Sequence, residues 1–375
     1  MSPGIPYSEI PPVIRMSIPW GASALSSHAT TGKTTLTMSF YWQFLERDYS
    51  ITSFGGISRR SPEVRFASSL TDNMKNPNFF IIGAPKCGTT SLYFWLFNHN
   101  KIFMSNIKEP HFFASELKSR KVQTLSRYKK LFENADDNHL AVGEASTGYL
   151  FSQEAVPRIE SRYSGVKYIV MLRNPIDMAQ SLHEQEIRCG AEHVRDFETA
   201  WRLSPERRRG REVHFGCESP KRLDYMNRCS LGSQLERLLS TVSRSRVLIL
   251  FLEDIREESR NEYEKSLDFL SVPTDNRSKF PVRNESKEVK YPTLRRLIRN
   301  AGRVRNIVKS ILGIDSLFGV GAMSFINEKS SSRKNNKSID KELETEIYRY
   351  FEKDVSKVES ITGRDLSQWI KIDDG

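Results

Sequence analysis

Short, unbroken apolar runs recur along the chain, and between them apolar residues return every three or four positions. Phe79–Gly83, Val166–Leu172 and Val247–Leu252 are the clearest runs, and Leu140–Glu144 is a shorter one. Runs without polar alternation predict strands covered on both faces, the situation inside a parallel sheet. The longer periodicity predicts helices over Thr90–Phe97, Gln123–Glu133, Gln153–Tyr163, Pro175–Ile187, Leu231–Ser240, Arg256–Leu270 and Ser338–Thr362. Pro175 falls in a first helical turn, where a missing N–H costs nothing. Strand–helix alternation from Pro77 onward predicts an α/β fold, a central parallel sheet flanked by helices on both faces.

Three stretches break the pattern. Residues 1–73 are rich in Ser, Thr, Pro and Gly and lack sustained periodicity, so a flexible or disordered extension is expected there, or a natural start at Met74. Within them, Ala29-Thr30-Thr31-Gly32-Lys33-Thr34 imitates a nucleotide loop, but Ser27 holds the first glycine position and no strand precedes it. Residues 204–228 cluster Arg, Pro and Gly and are expected to form an exposed excursion; Asn327–Lys337 is expected to be a basic loop. The compact domain is therefore expected over 74–372.

The first strand leads into Gly83-Ala84-Pro85-Lys86-Cys87-Gly88-Thr89-Thr90-Ser91-Leu92. Strand, tight loop and helix start make a phosphate cradle, because the first N–H groups of a helix point at an anion. A nucleotide triphosphatase needs Gly, four residues, then Gly-Lys-Ser/Thr. Gly83 and Gly88 keep that spacing, but Thr89 stands where the lysine belongs and Lys86 lies inside the loop. The fold is thus P-loop-like, with its lysine moved. A second anion motif is Leu172-Arg173-Asn174-Pro175-Ile176-Asp177-Met178-Ala179-Gln180-Ser181, where a buried strand ends in arginine and a helix presents a serine. Guanidinium and hydroxyl at the C-terminal edge of a sheet suit a phosphate; the alternative for Arg173 is a salt bridge to Asp177.

These two motifs resemble those of sulfotransferases that use 3′-phosphoadenosine 5′-phosphosulfate (PAPS). Residues 85–92 are similar to that family's PKxGTTSL loop for the 5′ end, and 173–181 to its RNPxDxxxS motif for the 3′-phosphate. The resemblance implies donor binding by Lys86, Cys87, Gly88, Thr89, Thr90, Ser91, Arg173 and Ser181, with Arg283 approaching the 3′-phosphate. Lys108-Glu109-Pro110-His111-Phe112-Phe113 resembles the KEPHFF element of the glycan-type and bacterial branches, which implies Glu109 as general base, with His111 as the rival. Lys86 is the other implied catalytic residue, stabilising charge on the departing nucleotide.

Gly143-Glu144-Ala145-Ser146-Thr147-Gly148-Tyr149-Leu150 resembles a GEASPxYL segment in which Thr147 replaces proline, and Glu144 is expected either to line the acceptor site or to form a structural salt bridge. Gln234-Leu235 ends a degenerate GxYxxQL stretch, and Thr362–Trp369 is similar to a closing GRDLSxW read as packing. The resemblance spans about 77–370 and implies sulfuryl transfer from PAPS to a hydroxyl or amine. A carbohydrate acceptor is favoured, with a lipid or small metabolite as alternatives.

Composition changes this picture little. The 375 residues carry a net charge of +11, with 27% charged and 38% hydrophobic residues. A basic balance suits an anionic donor and an acidic glycan. No zinc spacing, RNA-binding aromatic signature or basic zipper points to nucleic acid, and no apolar run of about 18 residues points to a membrane span. The four cysteines form no CxxC pair, which favours a reducing, cytoplasmic setting without disulfides. No His/Cys cluster has metal-ligand spacing, and no metal is called for, since the lysine and the helix end supply positive field. Two other functions remain open. A P-loop kinase of a nucleoside or sugar draws on Glu253-Asp254 after a buried strand. A non-catalytic binder of nucleotide and acidic glycan draws on the positive charge.

Overall fold

The computed structural model describes residues 75–282 and 339–370, apart from 119, 215, 216 and 218, together with strands at 287–289 and 331–333. The 1–73 segment, Arg283 and most of the 327–337 stretch lie outside the described residues.

Five parallel strands form the centre: β1 (Phe79–Gly83), β2 (Ile102–Met104), β3 (Ala141–Ala145), β4 (Lys167–Leu172) and β5 (Val247–Phe251), in the order β2-β3-β1-β4-β5. All five residues of β1 are buried, as its apolar run demands. Beside the strands lie α1 (Thr89–Phe97), α2 (Leu125–Lys129), α3 (Ala155–Glu160), α4 (Pro175–Cys189), α5 (Phe197–Arg202), α6 (Ser204–Arg208), α7 (Tyr225–Cys229), α8 (Leu231–Thr241), α9 (Leu252–Glu257), α10 (Ser259–Leu270) and α11 (Lys341–Thr362). A separate antiparallel pair joins β6 (Lys287–Val289) to β7 (Ser331–Arg333), so part of the expected basic loop is strand.

Strand order places the site. After β1 the chain leaves toward β2 and β3; after β4 it leaves the other way, toward β5. The loops at the C-terminal ends of β1 and β4 therefore diverge, and ligands of open parallel sheets bind in such a crevice. Pairing of β1 with β4 shifts register between Ile81 and Gly83, and the Ala84 N–H then donates to the Met171 carbonyl at 2.7 Å. The strand thus turns out of the sheet where the lysine loop begins.

The arginine-rich stretch at 204–228 is only in part the exposed excursion its composition predicts: residues 208–212 are exposed, but other arginines are held inside. Arg207 is fully buried, pairs with Glu192 at 2.7 Å and donates to the carbonyls of Ala200 and Leu223. Arg222 and Arg228 both reach the buried Glu186 of α4, at 2.6 and 3.1 Å. Composition misled because a buried arginine with a carboxylate partner looks like a surface arginine in sequence. Gln234, on α8, donates to the Asn227 and Arg228 carbonyls and so closes α7.

Glu144, on β3, neither lines a cleft nor forms a salt bridge. It is fully buried and accepts hydrogen bonds from the hydroxyls of Tyr128 (3.0 Å), Tyr149 (2.9 Å) and Ser146 (2.9 Å). Burial pushes its carboxyl up from the ordinary 4.5 to about 7, against the pull of those hydroxyls.

Two outcomes follow. Gly143 pairs opposite Phe79, and a Cβ there would stand 2.5 Å from the Phe79 ring, so Gly143→Ala should lower unfolding free energy by about 1–3 kcal/mol in denaturant titration. An unchanged midpoint would contradict this packing. Between about pH 4.5 and 7 folded Glu144 holds a proton that the unfolded chain has released, so its contribution to stability falls as pH rises through that window. Glu144→Gln should flatten that part of the melting-temperature profile; a profile identical to the parent's would refute the assignment.

Candidate functional site

The lysine loop is built by backbone conformation. Lys86 and Gly88 have positive φ, 69° and 84°, and Gly88 caps α1 in the left-handed region that glycine adopts without strain. Among the described residues no side chain caps this helix start, and no acid stands in its first turn to offset the positive end of the helix. Thr89 and Ser91 are buried, and Thr90 is half-buried. The Cys87 thiol points inward against Met178 Sδ at 4.0 Å, and burial pushes it up to about 12. Only the backbone of Cys87 is thus placed to meet a ligand.

Arg173 sits at the end of β4 and donates from Nη1 to the Lys86 carbonyl at 3.3 Å. This bond brings the two sequence motifs together. Nη2 pairs with Asp177 at 2.8 Å, so the alternative salt bridge is present as well. Nε is buried without a partner among the described residues. Ser181 lies one turn beyond Asp177, on the same face of α4, and is buried. Burial, then the nearby charges of Arg188 and Arg173, lower the Lys86 ammonium's pKa; Glu184 and Cys189 oppose this. Crowded cations and an orphaned guanidinium N–H fit an anion, which would relieve both.

The Lys108–Phe113 segment is anchored by the end of β3. The Glu109 N–H donates to the Ala145 carbonyl at 2.8 Å, and the Ser146 N–H donates to the Ile81 carbonyl of β1 at 3.0 Å. The Glu109 segment and the lysine loop thereby hang from adjacent strands. Glu109 Oε1 accepts from Lys108 Nζ (3.0 Å) and Thr147 Oγ1 (3.1 Å), while Oε2 faces His111 Nε2 at 3.7 Å. At 3.7 Å the last contact is too long for a good hydrogen bond. Burial acts to raise the Glu109 carboxyl, but the His111 imidazole and the Lys108 ammonium outweigh it and hold it well below the usual carboxylate range.

Sequence reasoning missed Thr147 as a ligand of Glu109; its signal was a hydroxyl where the related motif has proline. It also missed Lys121, whose Nζ donates to the Lys108 carbonyl at 2.7 Å. Asp254 pairs with Arg364 at 2.8 Å, and that guanidinium stacks 4.2 Å from the Phe251 ring centroid, so the closing motif is packing. Among the described residues no group of three or more His, Cys, Asp or Glu is placed to hold a metal ion, and no helix is long and apolar enough to cross a membrane.

Comparison with known proteins agrees with this geometry. The crystal structure of a sulfotransferase from Alicyclobacillus acidocaldarius superposes with a TM-score of 0.58 at 24% identity, over 79% of this chain and 100% of that one, which shows a shared fold. The membrane-associated sulfotransferase kil1 of Dictyostelium discoideum is 31% identical over 114 residues, 30% of this chain and 23% of that protein. The bifunctional heparan sulfate N-deacetylase/N-sulfotransferase 1 of Xenopus tropicalis is 25% identical over 206 residues, 52% of this chain and 22% of that protein. The chain thus spans less than a quarter of the length of either curated relative. The sulfotransferase domain family matches residues 76–355, a stretch that includes the lysine loop, the Arg173 strand end and the Glu109 loop, and the chain belongs to that family.

Proposed function

We propose that this sulfotransferase-family chain moves a sulfuryl group from PAPS to a hydroxyl or amine of a carbohydrate. The observation that carries the reading is the 3.3 Å bond from Arg173 to the Lys86 carbonyl, which sets two anion-binding motifs side by side at the β1/β4 crevice. The backbone N–H groups of Gly88, Thr89 and Thr90, with the Ser91 hydroxyl, would hold the 5′-phosphate at the start of α1. Arg173 and Ser181 would hold the 3′-phosphate, with Arg283 as a further candidate. PAPS supplies an activated sulfuryl group on a nucleotide leaving group.

The protein's own part is positional and electrostatic. Lys86 neutralises charge that builds on the leaving oxygen. Glu109 receives the acceptor's proton on Oε2, because Oε1 is already taken by Lys108 and Thr147. Those partners keep the carboxylate ionised but weaken it as a base, so His111 beside Oε2 stays the rival. The named activity of the heparan sulfate relative supports a glycan acceptor, and the basic cluster of Lys108 and Lys121 around Glu109 suits an acidic one. The four free cysteines support a reducing, cytoplasmic setting. Of the Glu253-Asp254 pair that the kinase alternative draws on, Asp254 is held by Arg364.

Adenosine 3′,5′-bisphosphate should raise the melting temperature without added metal, while magnesium-ATP should not; a shift with magnesium-ATP alone would sink the sulfotransfer reading. Lys86→Ala should abolish turnover with PAPS. Glu109→Gln should cut kcat by about 10²–10⁴-fold while leaving the bisphosphate shift in place. Equal loss of rate and nucleotide affinity would count against Glu109 as base.

A further inference from the structure

Glu144 does more than fill the core. Each of its three hydroxyl partners also grips the Glu109 loop. Ser146 Oγ accepts from the His111 N–H at 3.1 Å, and the Tyr149 hydroxyl accepts from the Phe113 N–H at 3.3 Å. Tyr128 stacks on Phe112 with ring centroids 4.5 Å apart and meets Phe113 edge-on at 5.2 Å. Once Glu144 has lost its proton, above about pH 7, its carboxylate only accepts, so the serine and tyrosines spend their protons on it. Their lone pairs are then left to face the loop amides. Remove the carboxylate and those hydroxyls are free to rotate and donate elsewhere.

The loop needs such a hold. Glu109 and His111 both have left-handed φ, 59° and 51°, which costs a residue with a Cβ and persists only where neighbours over-determine it. Glu109 N is fixed by the Ala145 carbonyl directly, but among the described residues His111 N and Phe113 N are held by hydroxyls that Glu144 itself binds. His111 also packs on Gly148, where a Cβ would stand 3.2 Å from the imidazole.

We propose that Glu144 is a positioning residue: through Ser146, Tyr149 and Tyr128 it sets the backbone of residues 111–113 and so aims the Glu109–His111 pair at the acceptor. This rests on the reading of Glu109 as base, but its first consequence is structural and separable. In the full chain, Glu144→Leu should speed amide hydrogen exchange at His111 and Phe113 by tenfold or more, with the strands β1 and β4 keeping their protection. The melting shift with adenosine 3′,5′-bisphosphate should persist, and kcat with desulfated heparin as probe acceptor should fall about tenfold or more at unchanged KM for PAPS. Glu144→Gln, which keeps one acceptor oxygen for the tyrosines, should restore most of the protection.

Should Glu144→Leu fail to fold, Ser146→Ala carries the test: His111 should exchange faster while Phe113 does not. Unchanged exchange at both amides, or protection lost evenly across the sheet, overturns the proposal. If Glu109→Gln keeps full turnover while Glu144→Leu frees the two amides, the base assignment fails and the link from Glu144 to the loop stands. If Glu109→Gln is inactive and the amides do not respond to Glu144, only the positioning role fails.

Discussion

The bond from the Arg173 guanidinium to the Lys86 carbonyl is the constraint on which the rest of the site depends. It joins loops that leave adjacent parallel strands in opposite directions. Neither loop alone defines a two-ended ligand. A cradle at a helix start holds one phosphate, and an arginine at a strand end holds another. Joined at one crevice they suit the proposed donor, an adenosine carrying phosphate at both ends. The Arg173 side chain is itself divided among three tasks: Nη1 braces the lysine loop, Nη2 pairs with Asp177, and Nε is left buried and unpaired among the described residues. A buried donor without an acceptor costs free energy, and an anion beside Nε would supply one.

A second frame holds the acceptor side. Its parts hang from the C-terminal end of β3, the neighbour of β1 on the side away from β4. The hydroxyl relay from Glu144 and the Thr147 contact to Glu109 make one unit of residues 109–113 and 144–149. The Ser146 N–H to the Ile81 carbonyl ties that unit to the donor strand. The lysine loop and the Glu109 loop are thus registered against each other through the paired strands β1 and β3, which suits the proposed transfer because that depends on alignment.

The strands and the long helices were legible in the sequence because burial on both faces forces unbroken apolar runs and one-sided burial forces helical periodicity. β2 escaped notice: Ile102–Met104 is three residues long and carries no run to read. The buried part of 204–228 was misread because sequence shows the charge of Arg207 and not the carboxylate of Glu192 that neutralises it. The strand–loop–helix turn around Lys86 was legible because backbone geometry fixes the spacing of residues within a single loop. The links between segments were not. Thr147 meets Glu109, and Glu144 meets Tyr128, only after strands distant in sequence have paired, and no local pattern encodes such a meeting.

The most direct test is a crystal structure with adenosine 3′,5′-bisphosphate. The account predicts the 5′-phosphate on the backbone N–H groups of residues 88–90 beside Lys86, and the 3′-phosphate within hydrogen-bond reach of Arg173 and Ser181. A nucleotide seated with only one phosphate in the β1/β4 crevice, or bound away from Arg173 altogether, would contradict it.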